Sequence, residues 1–181
     1  MTVQKLGLAG WAFAVLCCAG LFFLVSVEPA PSEPAMKTAL RDAPEFTLIM
    51  EDGTELSKKD FIGKPLILNF WTSWCPPCIE EMPELKKFSA EHPDVKMIGV
   101  NLTKEEFSKE NVSDFVKEHQ VSFPIAMDEE GRLQKTFKVF TIPITVMMTA
   151  DGRIYETFYG PVTAAQLEKS LDGLLSETNA S

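Results

Sequence analysis

Short runs of apolar residues recur along this chain with two different spacings, one typical of strands and one typical of helices. Residues 66–71 are almost continuously apolar, which is typical of a strand buried on both faces. Met82, Leu85 and Phe88 follow at helical spacing. In chain order, the pattern predicts a hairpin of strands 46–50 and 54–56, strand 66–71, helix 75–91, strand 95–101, helix 111–119, strand 123–127, helix 131–137, a hairpin of strands 144–149 and 153–159, and helix 163–175.

Turn and cap signals support these boundaries. Asp52-Gly53 and Asp151-Gly152 lie between paired apolar runs, as hairpin turns do. Thr163 and Gln166 have the spacing of a capping box at the start of the last helix. Strands that alternate with helices and then end in a hairpin indicate a single α/β domain with a mixed sheet.

The N-terminal region has a different character. Residues 6–27 carry no charge, and as a helix they would span about 33 Å, the thickness of a bilayer's hydrocarbon core. We expect an uncleaved anchor here rather than a signal peptide, whose apolar region is shorter, and we expect the following domain to lie outside the cytoplasm. The predicted parts are a cytoplasmic N-terminus (1–5), a transmembrane anchor (6–27), a Pro-rich tether (28–42), a folded domain (43–175) and a C-terminal tail (176–181).

Composition narrows the possible partners. With 181 residues, 45% hydrophobic content and a net charge of −9, the chain can form one globular core. The negative charge argues against nucleic-acid binding, which needs basic patches. We expect a monomer.

The candidate chemistry lies in Trp74-Cys75-Pro76-Pro77-Cys78, between a predicted strand and a predicted helix. A helix N-terminus stabilises a thiolate, so the pKa of Cys75 should lie below that of a free thiol. We therefore expect Cys75 to attack a partner's disulfide and Cys78 to resolve the mixed disulfide.

Other uses of the cysteine pair remain open at this point. Cys17 and Cys18 fall within the predicted anchor, so the rest of the chain offers Cys75 and Cys78 no other thiol partner. A purely structural disulfide is an alternative, although so small a ring constrains little of the unfolded chain. Zinc would need two further ligands, and the two histidines of the chain lack ligand spacing.

Residues 70–78 (FWTSWCPPC), Pro83 and the Thr141-Ile142-Pro143 segment resemble the thioredoxin superfamily. The hairpin before the motif and a helical insert at residues 104–122 resemble its membrane-anchored ResA/TlpA branch. Within that branch, residues 71–78 (WTSWCPPC), 123–125 (FPI) and 160–164 (GPVTA) resemble the StoA-like sporulation thiol–disulfide oxidoreductases. The resemblance implies a thioredoxin fold, a mixed sheet flanked by helices, with an N-terminal β-hairpin extension and a central helical insert. It also implies a cis peptide bond before Pro143, and a substrate-binding groove formed by Trp74, Ile142 and Pro143.

The sequence departs from thioredoxin itself at one position. Asn69 stands where thioredoxin has a buried aspartate, and ResA-type proteins instead carry a glutamate at the position of Glu81. Cys78 and Glu81 are neighbours at i and i+3 on a helix. Our hypothesis is that Glu81 is partly buried, has a raised pKa and manages the proton of Cys78. The alternative is an ordinary acid in the first helical turn, and Glu80, on another face, is expected to be solvated.

Together these features predict a membrane-anchored thiol–disulfide oxidoreductase that reduces disulfide-containing proteins. The resemblance implies apocytochrome c or a spore-envelope protein as the substrate, a transmembrane thiol carrier as the electron donor, and no cofactor or metal. The alternatives are an oxidase that forms disulfides, a thiol peroxidase and a non-catalytic peptide-binding module.

Overall fold

The computed structural model describes residues 40–179, and each strand and helix predicted in this range is present, with ends shifted by a few residues. Two short 3-10 turns, Lys58–Phe61 and Thr103–Glu105, were not predicted. The elements are β1 Arg41–Asp42, β2 Thr47–Ile49, β3 Glu55–Ser57, β4 Leu66–Trp71, α1 Pro76–Glu91, β5 Lys96–Asn101, α2 Lys109–Glu118, β6 Ile125–Met127, α3 Arg132–Thr136, β7 Ile144–Met148, β8 Arg153–Tyr159 and α4 Ala164–Asn179.

Six strands form one mixed sheet in the order β1-β8-β7-β4-β5-β6. Strands β4, β5 and β6 run parallel, whereas β7 is antiparallel to both β4 and β8. All six residues of β4 are buried because this central strand is covered on both faces. The continuous apolar run in the sequence reflects that position.

The two faces of the sheet carry separate apolar clusters. Met82 of α1, Phe115 of α2 and Leu167 of α4 belong to the cluster on one face. The β2–β3 hairpin, through Leu48, and α3, through Leu133, pack into the cluster on the other face. Helices therefore flank a mixed sheet, with the hairpin added before it and the insert between β5 and β6.

The start of the described chain differs from the prediction. The sequence predicts residues 41–42 as part of the tether, but they form β1, with Arg41 opposite Ile154 of β8. Both residues are exposed and pair only through their backbones, so no apolar period marks them as a strand. Among residues 40–179 no helix is long and apolar enough to cross a membrane, and the predicted anchor lies outside this range.

Strand direction brings four separate segments to one end of the sheet. Strands β4 and β5 are parallel and finish there, and the antiparallel β7 begins there. Strand β8 also finishes there, with Tyr159 opposite Ile144. The segments that meet at this end, which we call the Cys75 end, are residues 72–75, 102–107, 140–143 and 159–162.

Candidate active site

The two cysteines form a disulfide where β4 gives way to α1. Their Cα atoms lie 5.3 Å apart, and Cys75 is the N-cap of the helix. Pro76 and Pro77 occupy the first helical turn and have no N–H group, so the Cys78 N–H is the donor that reaches the Cys75 Sγ atom, at 3.3 Å. A thiolate on Cys75 would therefore receive one backbone hydrogen bond together with the field of the helix N-terminus.

The sulfurs lie at the surface of the core rather than on an open loop. Cys75 is 3% exposed and Cys78 is fully buried. Cys75 is the more exposed of the two cysteines, as an attacking thiol would be, but it is less exposed than the sequence predicts. Its role as the nucleophile stays a prediction.

The segment before Cys75 is held by the insert. The Glu106 carboxylate accepts hydrogen bonds from the Ser73 N–H and the Ser73 hydroxyl, both at 2.6 Å. It also accepts one from the Asn101 side-chain amide at 2.7 Å, while the Trp74 indole N–H donates to the Glu105 carbonyl at 3.0 Å. Glu105 and Glu106 of the insert thus fix Trp74 and Ser73, the two residues before Cys75.

The sequence does not predict these hydrogen bonds between the insert and residues 73–74, which we call the Glu106 clamp. Glu106 lies 33 residues from Ser73 along the chain, so no local period links them. The one available signal is that strands β4 and β5, if parallel and in register, finish together; Trp71 does lie opposite Asn101. The side chain of Trp74 is half exposed, as a docking residue would be, whereas Trp71 lies in the core.

Glu81 is buried beneath this site, only 2% exposed, and Glu80 is exposed. One Glu81 oxygen accepts from the Asn69 side-chain amide at 2.7 Å, and the other accepts from the Val162 N–H at 2.9 Å. Burial raises the pKa of Glu81 to about 7, and the hydrogen bonds from Asn69 and Val162 oppose that rise. The expected burial and raised pKa are therefore present; the proton-handling role stays a prediction.

Asn69 links Glu81 to the neighbouring strand. Its side-chain amide nitrogen donates to Glu81 and also to the Thr145 hydroxyl at 3.0 Å. Within residues 40–179 the buried Asn69 Oδ1 atom has no hydrogen-bond partner. A half-turn of this amide would place Oδ1 towards Glu81, where it would accept a hydrogen bond from the protonated carboxyl. The Asn69 amide can therefore serve both protonation states of Glu81.

The Ile142–Pro143 peptide bond is cis, as the resemblance implied. Pro143 is buried, its carbonyl accepts from the Gly160 N–H at 2.9 Å, and Ile142 is half-buried. Strand pairing places both residues at the Cys75 end of the sheet, beside the disulfide-bearing segment. The geometry thus brings Trp74, Ile142 and Pro143 to the same end, and their binding of substrate remains a prediction.

The zinc alternative gains no support from the position of His92. This residue is the C-cap of α1, at the opposite end of the helix from the cysteines, and its Nε2 atom lies 3.9 Å from a Glu168 oxygen.

Comparison with known proteins agrees with this arrangement. The family model described as Redoxin matches residues 39–175. The chain belongs to the redoxin family. It is 42% identical over 109 residues to sporulation thiol-disulfide oxidoreductase A of Bacillus subtilis, a match that covers 59% of this chain and 66% of that relative.

Two further comparisons extend the match. Thiol-disulfide oxidoreductase ResA of Bacillus thuringiensis subsp. konkukian is 33% identical over 133 residues, covering 72% of this chain and 75% of that protein. The crystal structure of StoA from Bacillus subtilis superimposes with a TM-score of 0.64 at 36% identity, over 76% of this chain and 99% of that one. This redoxin chain therefore has a thioredoxin-like fold and is a thiol–disulfide oxidoreductase with a Cys75–Cys78 pair.

Proposed function

We propose that this chain is a membrane-anchored oxidoreductase whose domain lies outside the cytoplasm, where it reduces disulfides in specific partner proteins. The observation that carries the direction of electron flow is the placement of the Cys75–Cys78 pair between two carboxylates. The Glu106 carboxylate is hydrogen-bonded to Ser73, which lies two residues before the first cysteine of the pair. Buried Glu81 lies three residues after the second cysteine.

Negative charge at Glu106, and at Glu81 when it is ionised, opposes the stabilisation that the helix N-terminus gives a thiolate on Cys75. A disulfide is strongly oxidising when its reduced form is stabilised, as in DsbA, so a less stabilised reduced form has a lower potential. The site therefore favours donation of electrons to a partner's disulfide. Formation of disulfides in partners is the rival activity.

The reaction proceeds by two thiol–disulfide exchanges. The Cys75 thiolate attacks one sulfur of the partner's disulfide, forming a mixed disulfide and releasing the partner's other sulfur as a thiolate, which takes up a proton. The Cys78 thiolate then attacks the Cys75 sulfur, re-forming the Cys75–Cys78 bond and releasing the partner's second thiolate. Two electrons pass to the partner. Glu81, with a pKa of about 7, accepts the Cys78 proton before this second step.

The reduced pair must be regenerated by a further exchange outside the cytoplasm. We infer a transmembrane thiol carrier as the donor, since residues 6–27 would hold the domain at the membrane. The proposed substrates are apocytochrome c or a spore-envelope protein. The relative named for sporulation supports the second of these.

Trapping tests the exchange mechanism. Cys78→Ser should accumulate mixed disulfides with partner proteins that dithiothreitol releases, because the resolving thiol is missing. Cys75→Ser is the matched control and should accumulate far fewer. Equal trapping by the two variants would contradict the assignment of Cys75 as the nucleophile.

Membrane placement is tested separately. The full-length protein should remain with the membrane fraction after carbonate extraction, and protease added to cells stripped of their wall should digest its domain. Release by carbonate, or protection of the domain until the cells are lysed, would contradict the anchored, extracytoplasmic arrangement.

A further inference from the structure

A histidine and two glutamates lie together where α1 ends beside α4. Glu91 is the last residue of α1, His92 is its C-cap, and Glu168 lies in the first half of α4. One imidazole nitrogen and one oxygen from each carboxylate all lie within 4.8 Å of one another. Within residues 40–179 this is the one group of three His, Cys, Asp or Glu side chains that has the spacing of a metal site, and we call it the His92 cluster.

The spacing of the His92 cluster fits a shared cation better than a hydrogen bond. The His92 Nε2 atom lies 3.9 Å from the Glu168 Oε1 atom, which is too long for a hydrogen bond. Around a tetrahedral zinc ion with bonds of about 2.1 Å, neighbouring ligand atoms lie about 3.4 Å apart. An ion at equal distances from the three atoms would lie at most about 2.8 Å from each, so a shift of about 0.7 Å or less by each side chain would give zinc its usual bond length.

The imidazole is fixed in place, whereas the two carboxylates can adjust. The His92 N–H donates to the Phe88 carbonyl at 3.0 Å, and the two rings pack with their centroids 4.5 Å apart. The side chains of His92 and Glu168 are 30% and 39% exposed, and Glu91 is exposed. An entering ion would therefore meet one oriented donor and two carboxylates that can close on it, with access for water.

We propose that Glu91, His92 and Glu168 bind a zinc ion, with water as the fourth ligand. Zinc accepts imidazole nitrogen and carboxylate oxygen in the same site, and three protein ligands with one water form one of its usual shells. Magnesium and calcium take oxygen ligands, so the imidazole argues against them. The two carboxylates match the charge of a divalent ion.

This site is separate from the redox centre. Cys75 caps the opposite end of α1, and a helix of 16 residues places its two ends about 24 Å apart. The site is therefore not the zinc alternative considered for the cysteine pair. The ion would join α1 to α4, two helices that contribute to the same apolar cluster, and an ion that binds the folded state alone stabilises it by mass action.

Calorimetric titration of ZnCl2 into the full-length, oxidised protein in detergent tests the site. The disulfide is kept because the thiolates of a reduced Cys75–Cys78 pair would themselves bind zinc. His92→Asn removes the imidazole, and Glu168→Gln removes a carboxylate charge while keeping the size of the side chain. His119→Asn is the matched control, because His119 is the other histidine of the chain and caps α2 as His92 caps α1. Urea denaturation without zinc establishes that each variant folds.

Wild type and His119→Asn should bind zinc saturably, and the affinity should fall about tenfold or more in His92→Asn and in Glu168→Gln. Zinc should raise the urea midpoint of wild type and His119→Asn, but not that of His92→Asn. Absence of saturable binding by wild type would overturn the inference. Unchanged affinity in the two folded cluster variants would place the ion elsewhere and would also overturn it, as would equal competition by MgCl2, which would indicate a diffuse attraction to acidic residues.

Discussion

Replacing Glu81 by glutamine should remove a large part of the pH dependence of stability. Glutamine keeps the size of the side chain but cannot ionise. Its amide can donate to Asn69 Oδ1 after a half-turn of the asparagine amide, while its oxygen keeps the hydrogen bond from the Val162 N–H. The substitution therefore tests the charge with little disturbance of packing.

The sign of the effect follows from the two pKa values of this carboxyl. The pKa of Glu81 is 4.5 in the unfolded chain and about 7 in the folded protein, so the folded state binds more protons between these two pH values. Protonation of Glu81 makes its full contribution to the unfolding free energy below about pH 4.5, and this contribution is lost as the pH rises through about 7. At 1.36 kcal/mol per pH unit the total is about 3 kcal/mol, of which roughly 2 kcal/mol falls between pH 5 and pH 8.

The assay is urea denaturation of the oxidised protein at pH 5 and at pH 8, because a disulfide keeps the two cysteines from titrating. Between these pH values, wild type should lose about 2 kcal/mol more unfolding free energy than Glu81→Gln. Glu80→Gln is the matched control, since Glu80 lies on the same turn of the helix but is exposed, and it should behave as wild type. Equal pH dependence in wild type and Glu81→Gln would refute the argument that burial governs this carboxyl.

Three further predictions follow from other contacts of the site and fold. Glu106→Ala removes the acceptor for Ser73 and should lower the unfolding free energy by about 2 kcal/mol in urea denaturation. Glu105→Ala is the control, because it keeps the backbone carbonyl that binds Trp74, and it should change the unfolding free energy little. Equal losses in the two variants would contradict a stabilising role for the Glu106 side chain. Thr163→Ala removes the cap of α4, where the Thr163 hydroxyl accepts from the Gln166 N–H at 3.3 Å, and should cost about 1 kcal/mol without changing the reduction potential. If Glu81 takes up a proton when the disulfide is reduced, the potential of wild type should fall more steeply with pH above pH 7 than that of Glu81→Gln; parallel slopes would exclude that coupling.

The elements of this fold were predictable from sequence because most of them bury one recognisable face. β4 is an apolar run and α1 shows helical spacing, and both appear as predicted. β1 was missed because its two exposed residues contribute only backbone pairing. Short strands of this kind leave no trace in side-chain pattern.

The relations among the site residues were likewise predictable from the sequence only in part. Cys75 and Cys78 share one helix end, so their relation could be inferred from spacing, whereas Glu81 was singled out by the family resemblance together with its i, i+3 position after Cys78. The contacts from Glu106 to Ser73 and from Val162 to Glu81 join residues 33 and 81 positions apart. Such pairs depend on strand order and on the packing of loops at the Cys75 end, which a single sequence does not encode locally.

The reduction potential of the Cys75–Cys78 pair tests the central claim most directly. It is measured at pH 7 by equilibrating the protein with dithiothreitol or glutathione buffers and counting free thiols. The carboxylates beside the pair predict a value near that of thioredoxin, about −270 mV, which would make the protein a reductant. A value near that of DsbA, about −120 mV, would show that the reduced form is stabilised and would contradict the proposed direction of electron flow.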